Sequence, residues 1–165
     1  MTLELELWPV DACHTGGVWN ENDGLVGVGY EGRSIDEFVE GLAAWQVTKL
    51  VDVRLTPLSR KRGFSKTALK AALESADIEY VHMPELGNLK DNRDGYAERA
   101  TPAADRARAQ YVERIETPSG QQAISAIAQW ASASRVALLC FEANERNCHR
   151  EQIIERVLKS MLVEA

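Results

Sequence analysis

The stretch "LVGVGYEGRSIDEFVEGL", Leu25 to Leu42, decides the fold. Its first six residues are a short apolar run of the kind that makes a buried strand. The polar residues Glu31, Gly32 and Arg33 break that run. Ser34 then stands three residues ahead of Glu37, the spacing of a capping box, in which each side chain satisfies a backbone N–H of the other residue. Ile35, Phe38, Val39, Leu42 and Trp45 follow at helical spacing. A buried strand that runs straight into a capped amphipathic helix is half of a β-α-β unit, and it calls for a parallel partner.

The rest of the chain repeats that order. "KLVDVR" (Lys49 to Arg54) is a second apolar strand. Ser65 is placed to cap a helix whose apolar face is Ala68, Leu69, Ala72 and Leu73. "IEYVHM" (Ile78 to Met83) is a third strand, and a polar, irregular stretch runs from Pro84 to Thr101. Helices are predicted over Asp105 to Glu116 and over Ser119 to Ser132, the second with Ile124, Ile127 and Trp130 inward. "RVALLCF" (Arg135 to Phe141) is the next strand, and Cys148 to Leu162 the closing helix. The alternation predicts an α/β, Rossmann-like three-layer fold, with a mostly parallel sheet of about four to five strands flanked by helices and right-handed crossovers. Residues 1–24 read as an N-terminal extension, with a short strand in "LELELW", and residues 25–165 as one α/β domain.

Composition narrows the function. The 165 residues are 45% hydrophobic and 27% charged, a globular mixture, with a net charge of −6 and a pI near 5.2. A chain that acidic lacks the positive surface that extended nucleic acid requires. A local basic pocket for a small anion is compatible with it, because pockets focus charge regardless of the total. No apolar stretch reaches membrane-span length, and the N-terminus lacks the basic start and apolar core of a signal peptide. Three cysteines are too few and too odd for a disulfide framework, so a reducing cytoplasm is expected. The sequence sets no oligomeric state.

Ligands of open parallel sheets sit outside the carboxyl ends of the strands. The groups just after the strands are therefore expected on one rim. They are Tyr30, Glu31 and Arg33; Asp52, Arg54 and Arg60; His82 and Glu85; and Cys140, Glu142, Cys148, His149 and Arg150. In "NCHREQII", Cys148 falls near the first turn of the last helix. Free N–H groups and the helix dipole favour an anion there and lower a thiol's pKa. A thiolate or an anion-binding turn is one reading. The other is a small buried thiol beside a solvated arginine. Asp52 and Arg54, two apart, share a strand face. They make either an ion pair that fixes the following loop or an arginine clamp oriented by a carboxylate. Arg60, Lys61 and Arg62 in "SRKRGF" read as a solvated charge run from which one arginine reaches an anion.

Other patterns carry less. Cys140 and Arg146 have the Cys-x5-Arg spacing of cysteine-dependent phosphatases, but "CFEANER" lacks glycines and places two glutamates in the phosphate cradle. Gly27, Gly29 and Gly32 miss the dinucleotide spacing, so no cofactor is expected. Tight Cys-x2–4-Cys pairs are missing, and adjacent Cys148 and His149 point about 100° apart in a helix, so no metal is expected. Cys13 and His14 lie in the extension and look incidental.

Three blocks carry a family resemblance: "VGYEGRSIDEFVEGL", "LVDVRLTPLSRKRGFSKTALKAALESADIEYVHMPELGN" and "ALLCFEANERNCHREQIIERVL". Together they closely resemble the domain-of-unknown-function 488 family, from about Leu25 to Leu162. The "VDVR" strand end also resembles the opening of rhodanese-type domains. The family resemblance implies a small cytosolic bacterial or archaeal protein with a Rossmann-like fold. Its motif residues fall on Tyr30, Gly32, Asp52, Arg54, Arg60, Phe64, Pro84, Leu86, Gly87, Cys148, His149 and Arg150. It implies no activity.

The expectation is an enzyme-like domain for a small anionic ligand, a nucleotide or phosphorylated compound. Arg33, Asp52, Arg54, Arg60, Glu142 and Arg150 would bind it. Cys148 would be nucleophile or general acid, supported by His149, with Tyr30 and Glu85 assisting proton transfer. The alternatives are a sensing module for a nucleotide or nucleic-acid end, without turnover, and a metal-binding interaction protein.

Overall fold

The structure, a computed structural model, describes residues 18–19, 23–93, 95, 100–140 and 149–164. The elements run β1 (Val18–Trp19), β2 (Gly24–Gly29), α1 (Ile35–Ala44), β3 (Lys49–Asp52), α2 (Lys66–Glu74), β4 (Glu79–His82), two 3-10 turns (Pro84–Leu86 and Lys90–Asn92), α3 (Pro102–Ile115), α4 (Pro118–Ala133), β5 (Arg135–Cys140) and α5 (Arg150–Glu164). The sheet order is β1-β2-β5-β3-β4. β2, β5, β3 and β4 are mutually parallel, and β1 pairs antiparallel at the edge through Val18–Leu25 and Trp19–Gly24. The protein is α/β, with a four-strand parallel sheet flanked by helices, in keeping with a Rossmann-like three-layer fold. Residues from the stretch before Leu25 thus join the sheet, while "LELELW" lies outside the described residues.

Strand alternation sorts the core into two halves. Val26, Val28, Leu50, Ala137 and Leu139 face α1 and α2, where Phe38, Leu42, Leu69 and Leu73 meet them. Leu25, Val51, Val136 and Leu138 face the other way, onto Tyr111 of α3, Ile127 of α4 and Ile153 and Val157 of α5. β2 and β3 therefore lead to helices on one face, and β5 between them leads to α5 on the opposite face. Such a divergence marks the place where open α/β sheets take their ligands. Register aligns the rim: Gly29 lies opposite Cys140, and Asp52 lies opposite both Leu139 and His82.

Caps explain the helix starts, with one departure. Ser34 and Glu37 form the capping box that their spacing predicts. Thr101 and Thr117 cap α3 and α4, which begin with prolines at Pro102 and Pro118. Both helices start earlier than their apolar periodicity indicates. Ser65 occupies the N-cap position of α2, yet its hydroxyl makes no cap bond. It accepts from Ser59 N and donates to Ser59 O, both at 3.1 Å, and so closes the basic loop on itself. Trp130, expected inward, is only half-buried, and the Lys49 ammonium lies 3.8 Å above its ring.

Candidate functional site

The carboxyl end of β3 is a buried polar centre. Asp52 is fully buried and Arg54 only 6% exposed. Asp52 Oδ1 accepts from the Arg54 backbone N–H at 3.0 Å and from Arg54 Nε at 2.9 Å, and Oδ2 accepts from Nη2 at 2.7 Å. The Tyr80 hydroxyl donates to Oδ2 at 2.5 Å from the adjacent strand. The remaining side of the guanidinium turns to Phe64 O, at 2.6 Å from Nη1, and to the Tyr30 hydroxyl at 3.4 Å. Burial alone would depress Arg54; the hydrogen bonds and charge of Asp52, then Tyr30, override it and hold the guanidinium above its ordinary range. Burial first, and then Asp52, pushes the Tyr80 phenol well above its ordinary value. Arg54 is thus turned inward as a brace between β3, the Tyr30 turn and the end of the basic loop.

Around this brace two loops are held in fixed shapes. Tyr30 O accepts from Arg33 N at 3.1 Å, and Gly32 at the third turn position has φ 78°, the left-handed value a type II turn demands. Arg33, which ends that turn, is buried, and Glu31 is exposed. The Tyr30 ring stacks on Phe64 at 4.4 Å, and Lys61 Nζ donates to Tyr30 O at 3.1 Å. Arg60 and Arg62 stay exposed. The basic loop, expected as a solvated charge run, sends Lys61 back to the turn after β2.

Two histidines grip the chain just beyond β3. His82 Nε2 lies 2.8 Å from Arg54 O, and His149 Nε2 lies 2.9 Å from Val53 O. A carbonyl oxygen only accepts, so Nε2 carries the proton in both rings, and Nδ1 holds the lone pair of the neutral form. His149 is the residue before α5, and its carbonyl takes the first helical N–H bonds, from Gln152 and Ile153. Its ring meets Tyr111 edge-on at 5.1 Å. The Tyr111 hydroxyl reaches Leu86 O at 2.6 Å, and Arg114 Nε reaches Gly87 O at 2.7 Å, so α3 pins the segment after β4. Gly87 is required by space: a Cβ there would fall 2.5 Å from Leu55 Cα.

The described residues thus gather Tyr30, Asp52, Arg54, Lys61, Phe64, Tyr80, His82 and His149 around one strand end. Glu85 lines a separate cavity with Asn88 and Arg114, between the segment after β4 and α3. Arg150 opens α5. The side chains of Cys140 and Arg150 lie outside the described residues, as do Cys13, His14, Glu142, Arg146 and Cys148. Among the described residues no cluster of three or more His, Cys, Asp or Glu is placed to hold a metal ion, and no helix is long and apolar enough to cross a membrane. The sequence reading missed Tyr80, whose signal was present: register places the residue two before His82 on the face of Asp52. It also missed Tyr111, for which an amphipathic helix offers no sign of a distant carbonyl.

A parallel sheet with helices on both sides and its polar centre at the carboxyl end of an inner strand defines a Rossmann-like α/β protein. Within that class the chain belongs to the family described as "Domain of unknown function DUF488", whose profile matches residues 34–157. No curated protein and no solved structure gives a significant match.

Proposed function

We propose that the protein binds a small anion, a nucleotide or phosphorylated compound, at the carboxyl rim between the basic loop and the amino end of α5, with Cys148 as nucleophile or general acid. The observation that carries this reading is the His149–Val53 bond. It ties the residue before α5 to the end of β3, beside Arg54 and the turn that Lys61 reaches. A helix amino end supplies unpaired N–H groups and a positive dipole, which suit an anion and favour a thiolate. In this reading Arg33, Arg60 and Arg150 contact the anion, and Glu142 contacts the substrate from the β5–α5 connection. Asp52 and Arg54 position Tyr30, whose hydroxyl assists proton transfer; Glu85, expected beside it, lines the separate cavity and takes no part at the rim. His149 positions Cys148 rather than taking its proton at Nε2, which is committed to a carbonyl.

That commitment also favours a second reading, binding without turnover, in which His149 and Arg54 serve only to hold the rim. Calorimetric titration with inorganic phosphate and a nucleoside monophosphate tests both. Binding that weakens about tenfold in Arg60→Ala supports an anion site. Release of phosphate from the nucleotide separates enzyme from sensor. Heats that are nil for both anions overturn the two readings together.

A further inference from the structure

The cavity that holds Glu85 is separate from the polar centre at β3 and has its own chemistry. Its volume is about 530 Å³, within the range of small-molecule sites. The segment after β4 forms one wall, through Glu85, Asn88, Leu89 and Asn92, and α3 forms the other, through Tyr111, Glu113 and Arg114.

A chain of hydrogen bonds fixes what this cavity offers. Ala107 O accepts from Asn92 Nδ2 at 2.8 Å, so Asn92 presents its nitrogen there. The same Nδ2 donates at 3.0 Å to Asn88 Oδ1. With its oxygen so engaged, Asn88 turns its amide nitrogen away from Asn92. Asn88 is only 2% exposed, lines the cavity, and has no hydrogen-bond partner for Nδ2 among the described residues. Nδ2 is thus an open donor on a side chain otherwise enclosed, available to an acceptor that enters the cavity. Arg114 spends Nε on Gly87 O and lines the same cavity, and its two outer nitrogens make no hydrogen bond among the described residues. Glu85 and Glu113 set two carboxylates against that one guanidinium, which disfavours a multiply charged phosphate. Leu89, an apolar side chain left 51% exposed, lines the same cavity.

We infer that this cavity binds a free α-amino acid with an apolar side chain. Its carboxylate meets Asn88 Nδ2 and the outer nitrogens of Arg114, its ammonium meets Glu85 or Glu113, and its side chain lies on Leu89. The site is independent of the anion site at the rim.

Calorimetry on the full chain tests this with phenylalanine, leucine and methionine, and with phenethylamine, which keeps the ring and the amine but lacks the carboxylate. At least one of the amino acids binds, and phenethylamine binds about ten- to hundredfold more weakly than phenylalanine, or not at all. Asn88→Asp keeps the acceptor for Asn92 while replacing the cavity-facing donor with an acceptor, and it weakens binding by a similar factor. Arg114→Lys, which retains a donor for Gly87 O but loses the fork, weakens it as well. The inference is overturned if none of the three amino acids binds, if phenethylamine matches phenylalanine, if inorganic phosphate competes, or if a folded Asn88→Asp binds as the wild type does.

Discussion

Asp52→Asn removes one charge from the buried centre and almost nothing from its volume. Arg54 remains, 6% exposed, with a neutral amide where its counter-charge stood. Asparagine keeps one oxygen. Its NH2 group must then face Arg54 donors in either orientation, Nε and the backbone N–H on one side or Nη2 on the other, with a donor where they need an acceptor. Breaking a buried ion pair from one side costs about 3–5 kcal/mol. A domain of this size has a total stability of about 5–15 kcal/mol, so the substitution removes roughly a fifth or more of it. The exposed pair Arg156–Glu116, whose side chains are 32% and 53% exposed, provides the control. Glu116→Gln costs less than about 1 kcal/mol. Urea unfolding at neutral pH, followed by circular dichroism, measures both. A loss below about 1 kcal/mol for Asp52→Asn, equal to the surface control, would refute the claim that this pair organises the strand end.

Three further outcomes follow from the structure. Tyr80 has its folded-state value raised above the ordinary 10.0. Its contribution is therefore present in full below about pH 10 and is lost as pH climbs from there through the folded-state value. The stability gap between wild type and Tyr80→Phe, measured by urea unfolding, narrows between about pH 8 and about pH 11; a gap that widens would reverse the sign of the argument. Gly87→Ala drives a methyl to 2.5 Å from Leu55 Cα and 2.6 Å from Leu55 N, backbone atoms that cannot rotate away, and costs about 1–3 kcal/mol. Gly32→Ala meets no atom within 4 Å but must hold φ 78°, and costs about 1–2 kcal/mol through conformation alone.

Much of the fold is legible in the sequence because its signals are local. Apolar runs mark β2, β3, β4 and β5, and the Ser34–Glu37 box marks the start of α1. Strand order is not local. Nothing in "RVALLCF" states that β5 inserts between β2 and β3. That choice comes from which faces α4 and α5 must cover. Ser65 shows how a position can be legible while its bond is not. It sits at the N-cap, as the pattern requires, and gives its hydroxyl to Ser59 across the loop. The candidate site divides the same way. Asp52 and Arg54 are two apart, and spacing alone puts them on one face. Which partners saturate Arg54 depends on Phe64 and Tyr30, which are 10 and 24 residues away in the chain. His149 stands out for its neighbours in the sequence, yet the carbonyl it grips lies 96 residues upstream. Tyr111 acts through a bond to Leu86 O, 25 residues away, that no spacing encodes.

The most direct measurement for the anion site at the amino end of α5 is the rate of alkylation of Cys148 by iodoacetamide as a function of pH, with and without inorganic phosphate. The account predicts an apparent thiol pKa well below about 8.5 and protection by phosphate. A thiol that titrates at or above the ordinary value, and reacts at the same rate whether or not phosphate is present, would contradict it.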